Sequence, residues 1–143
     1  MNDSTSQSTL SALDDPLQMP TLVFDLDGTL AVEDPQVSYA DRQPNTEVVA
    51  KLRAYHAAGF AIAICTARNM RAHANSVGRI NAVTLPVIVD WLKRHEIPFD
   101  EIHVGKPWPG EGGFYIDDRA VRPDEFVSLS HAEILDLLET RRA

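Results

Sequence analysis

Cysteine is almost absent from this chain of 143 residues, since Cys65 is the single one. One cysteine cannot build an intrachain disulfide framework, so the fold has to rest on a hydrophobic core, and a reducing, cytoplasmic compartment is the expected location. Basic residues are also scarce, with 13 lysines and arginines against 21 acidic residues. The formal net charge of -8 argues against a nucleic acid or a membrane surface as partner, because both favour a basic protein face.

Long apolar runs are missing as well. No stretch approaches the ~20 apolar residues that a membrane span requires. Residues 1–20 have neither the basic start nor the apolar centre of an export signal, and their Ser, Thr, Asp and Gln content predicts a flexible tail. Residues 21–143 have the length and composition of a single catalytic domain.

Short apolar runs alternate with amphipathic segments along residues 21–143. The runs predict strands at residues 21–24, 60–65, 101–104 and 113–116. Apolar residues three and four apart predict a helix from Asn45 to Gly59, another from 84 to 96 with Thr84 as its N-cap, and a third over residues 130–142. In the second helix, Val87, Trp91 and Leu92 are expected in the core. This alternation predicts an α/β fold, a Rossmann-like parallel sheet with helices on both faces.

Polar residues follow each predicted strand. They are Asp25 and Asp27, Thr66, Lys106, and the pair Asp117-Asp118. The carboxyl ends of parallel strands meet in one crevice, so these side chains are expected to converge there. Crowded carboxylates repel one another unless a cation neutralises them, and oxygen ligands suit Mg²⁺. Such a set can transfer a phosphoryl group through an aspartyl-phosphate.

Four short motifs carry a family resemblance. In chain order they are Asp25-Leu26-Asp27-Gly28-Thr29-Leu30, Thr66 in Ile64-Cys65-Thr66-Ala67-Arg68, Lys106 in Gly105-Lys106-Pro107, and Asp117-Asp118 after Tyr115-Ile116. They resemble the four motifs of the haloacid dehalogenase (HAD) superfamily of phosphatases. The chain is therefore expected to have the HAD core and to hydrolyse a phosphomonoester with Mg²⁺ as its cofactor.

The resemblance also implies a role for each motif residue. Asp25 would be the nucleophile and a metal ligand, and Asp27 the general acid/base with its backbone carbonyl on Mg²⁺. Thr66 would bind the phosphoryl group and Lys106 would orient Asp25. Asp117 and Asp118 would hold Mg²⁺ directly or through water, and either could be the closer ligand. Three loop neighbours complete the expected phosphoryl-binding set, namely Gly28, Thr29 and Ala67.

The intervals between the motifs are too short for a large cap domain, so the chain resembles the capless branch of the superfamily. Members of that branch often complete an open site with a neighbouring subunit, which makes a homo-oligomer a candidate assembly. The segments around four further residues resemble small HAD proteins of capsule or lipopolysaccharide biosynthesis. That likeness suggests a phosphorylated sugar or related small metabolite as substrate, contacted by Arg68, Asn69, Trp108 and Arg119.

The same residues also have structural interpretations. Asp25 and Asp27 could be turn formers, Thr66 a helix cap, and Arg68 and Arg119 partners of nearby carboxylates. The rival functions are a phospho-receiver-like signalling module, a HAD-type phosphotransferase or mutase, and a non-catalytic binding protein. In a receiver the acidic pair ends the first strand and the phosphorylated aspartate comes later, which is not the order found here. Mutases usually carry a cap that excludes water, and none is expected in this chain.

Overall fold

The computed structural model describes residues 20–142, so the predicted N-terminal tail lies outside the described residues apart from Pro20. The chain divides into two compact units between Lys106 and Pro107. Within residues 20–142, no helix has the length and apolar character needed to cross a membrane.

From residue 20 onward, the first unit is built on three parallel strands, with β2 in the centre of the order β1-β2-β3. Their bounds are Thr21–Phe24 for β1, Ala61–Cys65 for β2 and Glu101–His103 for β3. Phe24 pairs with Ile64, and Cys65 pairs with His103, so the three carboxyl ends are level with one another. This parallel sheet with its helices confirms the predicted α/β class.

Helix α1, Thr46–Ala57, lies between β1 and β2 in the chain, as predicted. Its N-cap is Asn45, whose side chain accepts a hydrogen bond from the Val48 amide at 3.5 Å. The helix buries Leu52 completely, and β2 buries Ile62 and Ile64 in the same way. Each such aliphatic side chain stabilises the fold by roughly 1.5–3 kcal/mol relative to an exposed one. Burial on α1 also raises the pKa of the Tyr55 phenol.

The second predicted helix begins earlier than the sequence indicates. A continuous helical run comprises α2 (Val77–Arg79), a π-helical turn (Ile80–Thr84) and α3 (Leu85–Arg94). Its N-cap is Ser76, which accepts a hydrogen bond from the Arg79 amide at 3.3 Å. Thr84 has helical backbone angles and makes no capping bond, so the prediction of Thr84 as N-cap is wrong.

Pro86 explains that error. Proline lacks an amide hydrogen and is typical of the first helical turn, which favours a start at Thr84. Here the π-helical turn directly before α3 widens the helix ahead of the proline, so the run continues through it. The buried face of α3 also differs by one position, because Ile88 is fully buried with Trp91 and Leu92 whereas Val87 is exposed.

The second unit contains two helices, α4 (Pro123–Ser128) and α5 (His131–Arg142). Helix α5 was predicted and begins with a reciprocal cap, in which the Ser130 amide donates to Glu133 and the Glu133 amide donates to the Ser130 hydroxyl. The predicted strand at residues 113–116 is not formed, and Phe114, Tyr115 and Ile116 are exposed. An apolar run becomes a strand only where a neighbour pairs with it, and the described part of this unit holds helices and turns.

Candidate active site

A tight turn follows β1 and sets the directions of the first motif. Leu26 is fully buried, and its carbonyl accepts hydrogen bonds from three successive amides, those of Thr29, Leu30 and Ala31. Gly28 has a φ of +86°, a left-handed conformation that glycine adopts without steric cost. With Leu26 anchored in the core, the flanking Asp25 and Asp27 side chains lie outside it, partly exposed to solvent.

The Asp25 carboxylate is the more accessible of the two. Its side chain is 39% exposed, and Lys106 Nζ lies 3.5 Å from Oδ1. The Thr29 hydroxyl donates a hydrogen bond to Oδ2 at 3.2 Å. Asp25 therefore has a cation at one oxygen and a hydroxyl donor at the other, with part of its surface open to an incoming group.

The Asp27 carboxylate is held by two arginines. Arg68 donates from Nε to Oδ2 at 3.0 Å and from Nη2 to Oδ1 at 2.9 Å, and Arg42 Nη1 donates to Oδ1 at 3.0 Å. The side chains of Arg68 and Arg42 are 1% and 7% exposed, against 18% for Asp27. Two buried guanidinium groups thus meet on one carboxylate.

Tyr39 joins this cluster. The guanidinium carbons of Arg42 and Arg68 lie over its ring, 4.3 and 4.2 Å from the ring centroid. Arg42 is tied to α3 as well, because the buried Trp91 indole donates to the Arg42 carbonyl at 2.8 Å. Neither Tyr39 nor Arg42 is predicted from the sequence, because both lie in the loop of residues 31–45, which has no periodicity and no motif.

Thr66 links the ends of β2 and β3. It is 1% exposed, its amide donates to the His103 carbonyl at 2.9 Å, and its own carbonyl accepts from the Lys106 amide at 3.2 Å. The Thr66 hydroxyl accepts from the Arg68 amide at 3.0 Å. The first unit therefore brings Asp25, Asp27, Thr66 and Lys106 to one end of the sheet.

Asn69, the residue after Arg68, contacts the π-helical turn. Asn69 has a φ of 63°, and its side-chain amide donates to the Thr84 hydroxyl at 2.7 Å. Thr84 is 2% exposed. Its hydrogen bond with Asn69 connects the π-helical turn to the loop that follows Thr66. Ala67 is half-buried in that loop and accepts a hydrogen bond from the Met70 amide.

The remaining predicted site residues lie in the second unit. Trp108, Asp117, Asp118 and Arg119 are all exposed, and the Arg119 amide donates to Asp117 Oδ1 at 2.8 Å. Over residues 20–142, no three or more His, Cys, Asp and Glu side chains are grouped so that they could hold a metal ion. The predicted roles of these four residues stay predictions.

The charge around the first motif differs from that of the whole chain. Arg42, Arg68 and Lys106 face the carboxylates of Asp25 and Asp27. Glu33 lies at the rim, 63% exposed and 3.7 Å from Arg42. Cations and carboxylates are therefore balanced here although the chain carries a net charge of -8, and an anionic ligand meets no net repulsion.

Comparisons with known proteins identify the family of this chain. Residues 22–89 match the sequence model of the haloacid dehalogenase-like hydrolases. The crystal structure of a structural-genomics target from Vibrio cholerae is 52% identical, covers 85% of this chain and 98% of its own, and superposes with a TM-score of 0.82. The chain belongs to the haloacid dehalogenase-like hydrolase family.

A weaker likeness is to a chain of the Pnkp1/Rnl/Hen1 complex, which is 20% identical with a TM-score of 0.47 over 80% of this chain and 36% of that one. Among curated proteins, none matches the chain.

Proposed function

We propose that this hydrolase is a phosphomonoesterase that works through an aspartyl-phosphate on Asp25. The observation that carries the proposal is the environment of the Asp25 carboxylate, which is accessible and has Lys106 and Thr29 at its two oxygens. A carboxylate that attacks an anionic phosphoryl group needs nearby positive charge and a fixed direction of attack. Lys106 supplies the charge, and the Thr29 hydroxyl fixes the direction.

The reaction has two in-line steps. An Asp25 oxygen attacks phosphorus, the bond from phosphorus to the ester oxygen breaks, and Asp27 gives its proton to the leaving alcohol. A water molecule then attacks the phosphorus of the aspartyl-phosphate, its proton passes to Asp27, and phosphate and the Asp25 carboxylate are released. The Thr66 hydroxyl retains its own proton as a donor for a phosphoryl oxygen.

Magnesium fits the donors that the chain offers. The Asp25 carboxylate and the Asp27 backbone carbonyl, both in the first unit, are hard oxygen donors. Metal binding by Asp117 and Asp118 remains a proposal that rests on the family resemblance alone. Mg²⁺ commonly takes one or two carboxylates and keeps its other positions for water and substrate phosphate. When bound, it would neutralise charge on the phosphoryl oxygens.

The charges of the same residues support a phosphate monoester as substrate. Lys106 provides a cation beside Asp25, and the two arginines offset Asp27, so a phosphate dianion can approach. We propose a phosphorylated sugar or a related small polar metabolite. Trp108, Arg119 and Asn69 remain the candidate contacts to the rest of that substrate.

Phosphate release from a panel of sugar phosphates, nucleotides and phosphorylated small acids tests the proposal. Each substrate is assayed with Mg²⁺ and with EDTA, for the wild type, Asp25→Asn and the control Asp90→Asn. Asp90 is a matched control because it is an exposed carboxylate paired with Arg94 on α3. We expect release that requires Mg²⁺ and Asp25 and is unaffected in Asp90→Asn. Turnover by Asp25→Asn at the wild-type rate would contradict the nucleophile assignment.

A further inference from the structure

We propose that Arg42 and Arg68 are positioning residues, which aim the Asp27 carboxylate at the leaving group and at the attacking water. We further propose that Tyr39 holds both guanidinium groups in place. This inference rests on the proposed function, because it assigns Asp27 the acid/base role. It gives Arg68 a different task from the direct substrate contact that the sequence suggests.

The hydrogen bonds to Asp27 fix its orientation completely. Arg68 binds both carboxylate oxygens through Nε and Nη2, and a planar fork on a planar carboxylate sets the plane as well as the position of the group. Arg42 adds a second donor at Oδ1. Among the described residues, Oδ1 thus has two guanidinium donors and Oδ2 has one, so Oδ2 is the oxygen we assign to carry the transferred proton.

The two arginines are themselves fixed by the fold. Arg68 is buried next to Thr66, whose hydroxyl accepts its amide hydrogen. Arg42 is buried under α3, where Trp91 binds its carbonyl and Val37 accepts from its Nε at 3.4 Å. A long side chain normally loses rotamer freedom when it binds a partner. Burial in the fold has already removed rotamer freedom from Arg42 and Arg68. The two side chains therefore hold Asp27 in one orientation before a substrate binds.

Tyr39 reduces the repulsion between the two cations. Both guanidinium groups bind Asp27 Oδ1, which brings like charges close together. One carboxylate offsets part of that charge, and the face of the Tyr39 ring, 4.2–4.3 Å from both guanidinium carbons, offsets more. The phenyl ring rather than the hydroxyl makes this contact, so phenylalanine should serve at this position.

Burial separates Arg68 from a phosphate-binding arginine. The residue is 4% exposed, two of its guanidinium nitrogens bind Asp27, and the third, Nη1, is buried without a hydrogen-bond partner among the described residues. A side chain in that position acts on the reaction through Asp27. Its effect should therefore appear only where the chemistry needs the Asp27 proton.

The test compares two phosphate esters, of which only one needs the Asp27 proton to release its alcohol. An alkyl phosphate such as glycerol phosphate requires a proton on its leaving oxygen, whereas nitrophenolate leaves para-nitrophenyl phosphate without one. Arg68→Lys and Arg42→Lys keep the charge but lose the fork. Arg53→Lys is the matched control, because Arg53 also donates two guanidinium hydrogen bonds, to the carbonyls of His95 and Glu96.

We expect Arg68→Lys to lower kcat/KM for the alkyl ester by ~100-fold, and for the nitrophenyl ester by only a few-fold, as loss of general acid catalysis alone would do. Arg42→Lys should show the same pattern more weakly, and Arg53→Lys should match the wild type on both esters. In an Asp27→Asn background, Arg68→Lys should cause no further loss.

Tyr39 gives a second pair of variants that is independent of the arginine substitutions. Tyr39→Phe should keep the wild-type ratio between the two esters, and Tyr39→Leu should lower the alkyl rate selectively. Equal losses on both esters, or a full additional loss in the Asp27→Asn background, would overturn the inference. A wild-type protein that releases phosphate neither from these esters nor from any member of the substrate panel would instead overturn the proposed function itself.

Discussion

The cluster of Asp27 with two arginines should make a large contribution to stability, and Arg68→Met measures it. Methionine retains most of the apolar stem but removes the guanidinium, so the partly buried Asp27 carboxylate loses two of the three hydrogen bonds that it accepts from the described residues. Breaking a buried ion pair costs about 3–5 kcal/mol. Asp27 keeps Arg42 and is 18% exposed, which places the expected loss near the lower end, at about 3 kcal/mol.

Urea denaturation followed by far-ultraviolet circular dichroism gives this number. A loss of ~3 kcal/mol also corresponds to a drop in Tm of about 6–12 °C for a protein of this size. The double variant Asp27→Asn with Arg68→Met should be more stable than the two single losses would sum to, by about 2 kcal/mol. The reason is that Asp27→Asn leaves the buried Arg68 charge without its partner, and Arg68→Met leaves the partly buried Asp27 charge with Arg42 alone.

Arg94→Met is the control for that experiment. Arg94 also pairs with a carboxylate, Asp90, at 2.8 Å, but both side chains are largely exposed and lie one turn apart on α3. We expect its loss to stay below about 1 kcal/mol. If Arg68→Met is no more destabilised than Arg94→Met, the Asp27 cluster does not stabilise the fold as the burial of its members indicates.

Two further changes test local features. Gly28→Ala should cost about 1–2 kcal/mol in thermal unfolding because φ is +86° there, whereas Gly78→Ala, inside α2 with open space at the added methyl, should be neutral or slightly stabilising. Hydrogen bonds from the Arg122 amide and from Arg141 lower the pKa of Glu125. The ionised Glu125 carboxylate therefore stabilises the fold at a pH above the ordinary glutamate pKa. This stabilisation is lost as the pH falls through the lowered pKa. An NMR titration of Glu125 should show this lowered midpoint, and Arg141→Met should move it back up; a midpoint unchanged by Arg141→Met would contradict the assignment.

Features that depend on local sequence could be predicted. The apolar runs ending at Phe24 and Cys65 are short and bounded by polar residues, and both form strands. The parallel sheet then brings Asp25 and Lys106 together although they are far apart in the chain. The apolar run at residues 113–116 has the same appearance but no strand partner in the described part of its unit. Periodicity alone does not distinguish these cases, because pairing is a property of the neighbour.

Features that depend on contacts between distant loops could not be predicted. Arg42 binds Asp27, and its carbonyl accepts a hydrogen bond from Trp91, on a helix almost fifty residues later. Tyr39 has no motif around it, and its importance comes from the two guanidinium groups over its ring. Thr84 satisfies a sequence rule for helix caps, yet its hydroxyl binds Asn69 instead. In each case the partner is set by the fold rather than by adjacent residues.

The two carboxylates of the first motif show how one turn can prepare two chemical roles. Asp25 and Asp27 are the same residue type, two positions apart, on either side of the buried Leu26. Asp25 is 39% exposed with a lysine at 3.5 Å, an environment that suits the attack on phosphorus that we propose for it. Asp27 is held by three guanidinium hydrogen bonds, so it is better suited to passing a proton from a fixed position than to attacking. Differences in environment between like residues are how enzymes separate nucleophile from acid/base, and in the proposed mechanism the two buried arginines would make that difference.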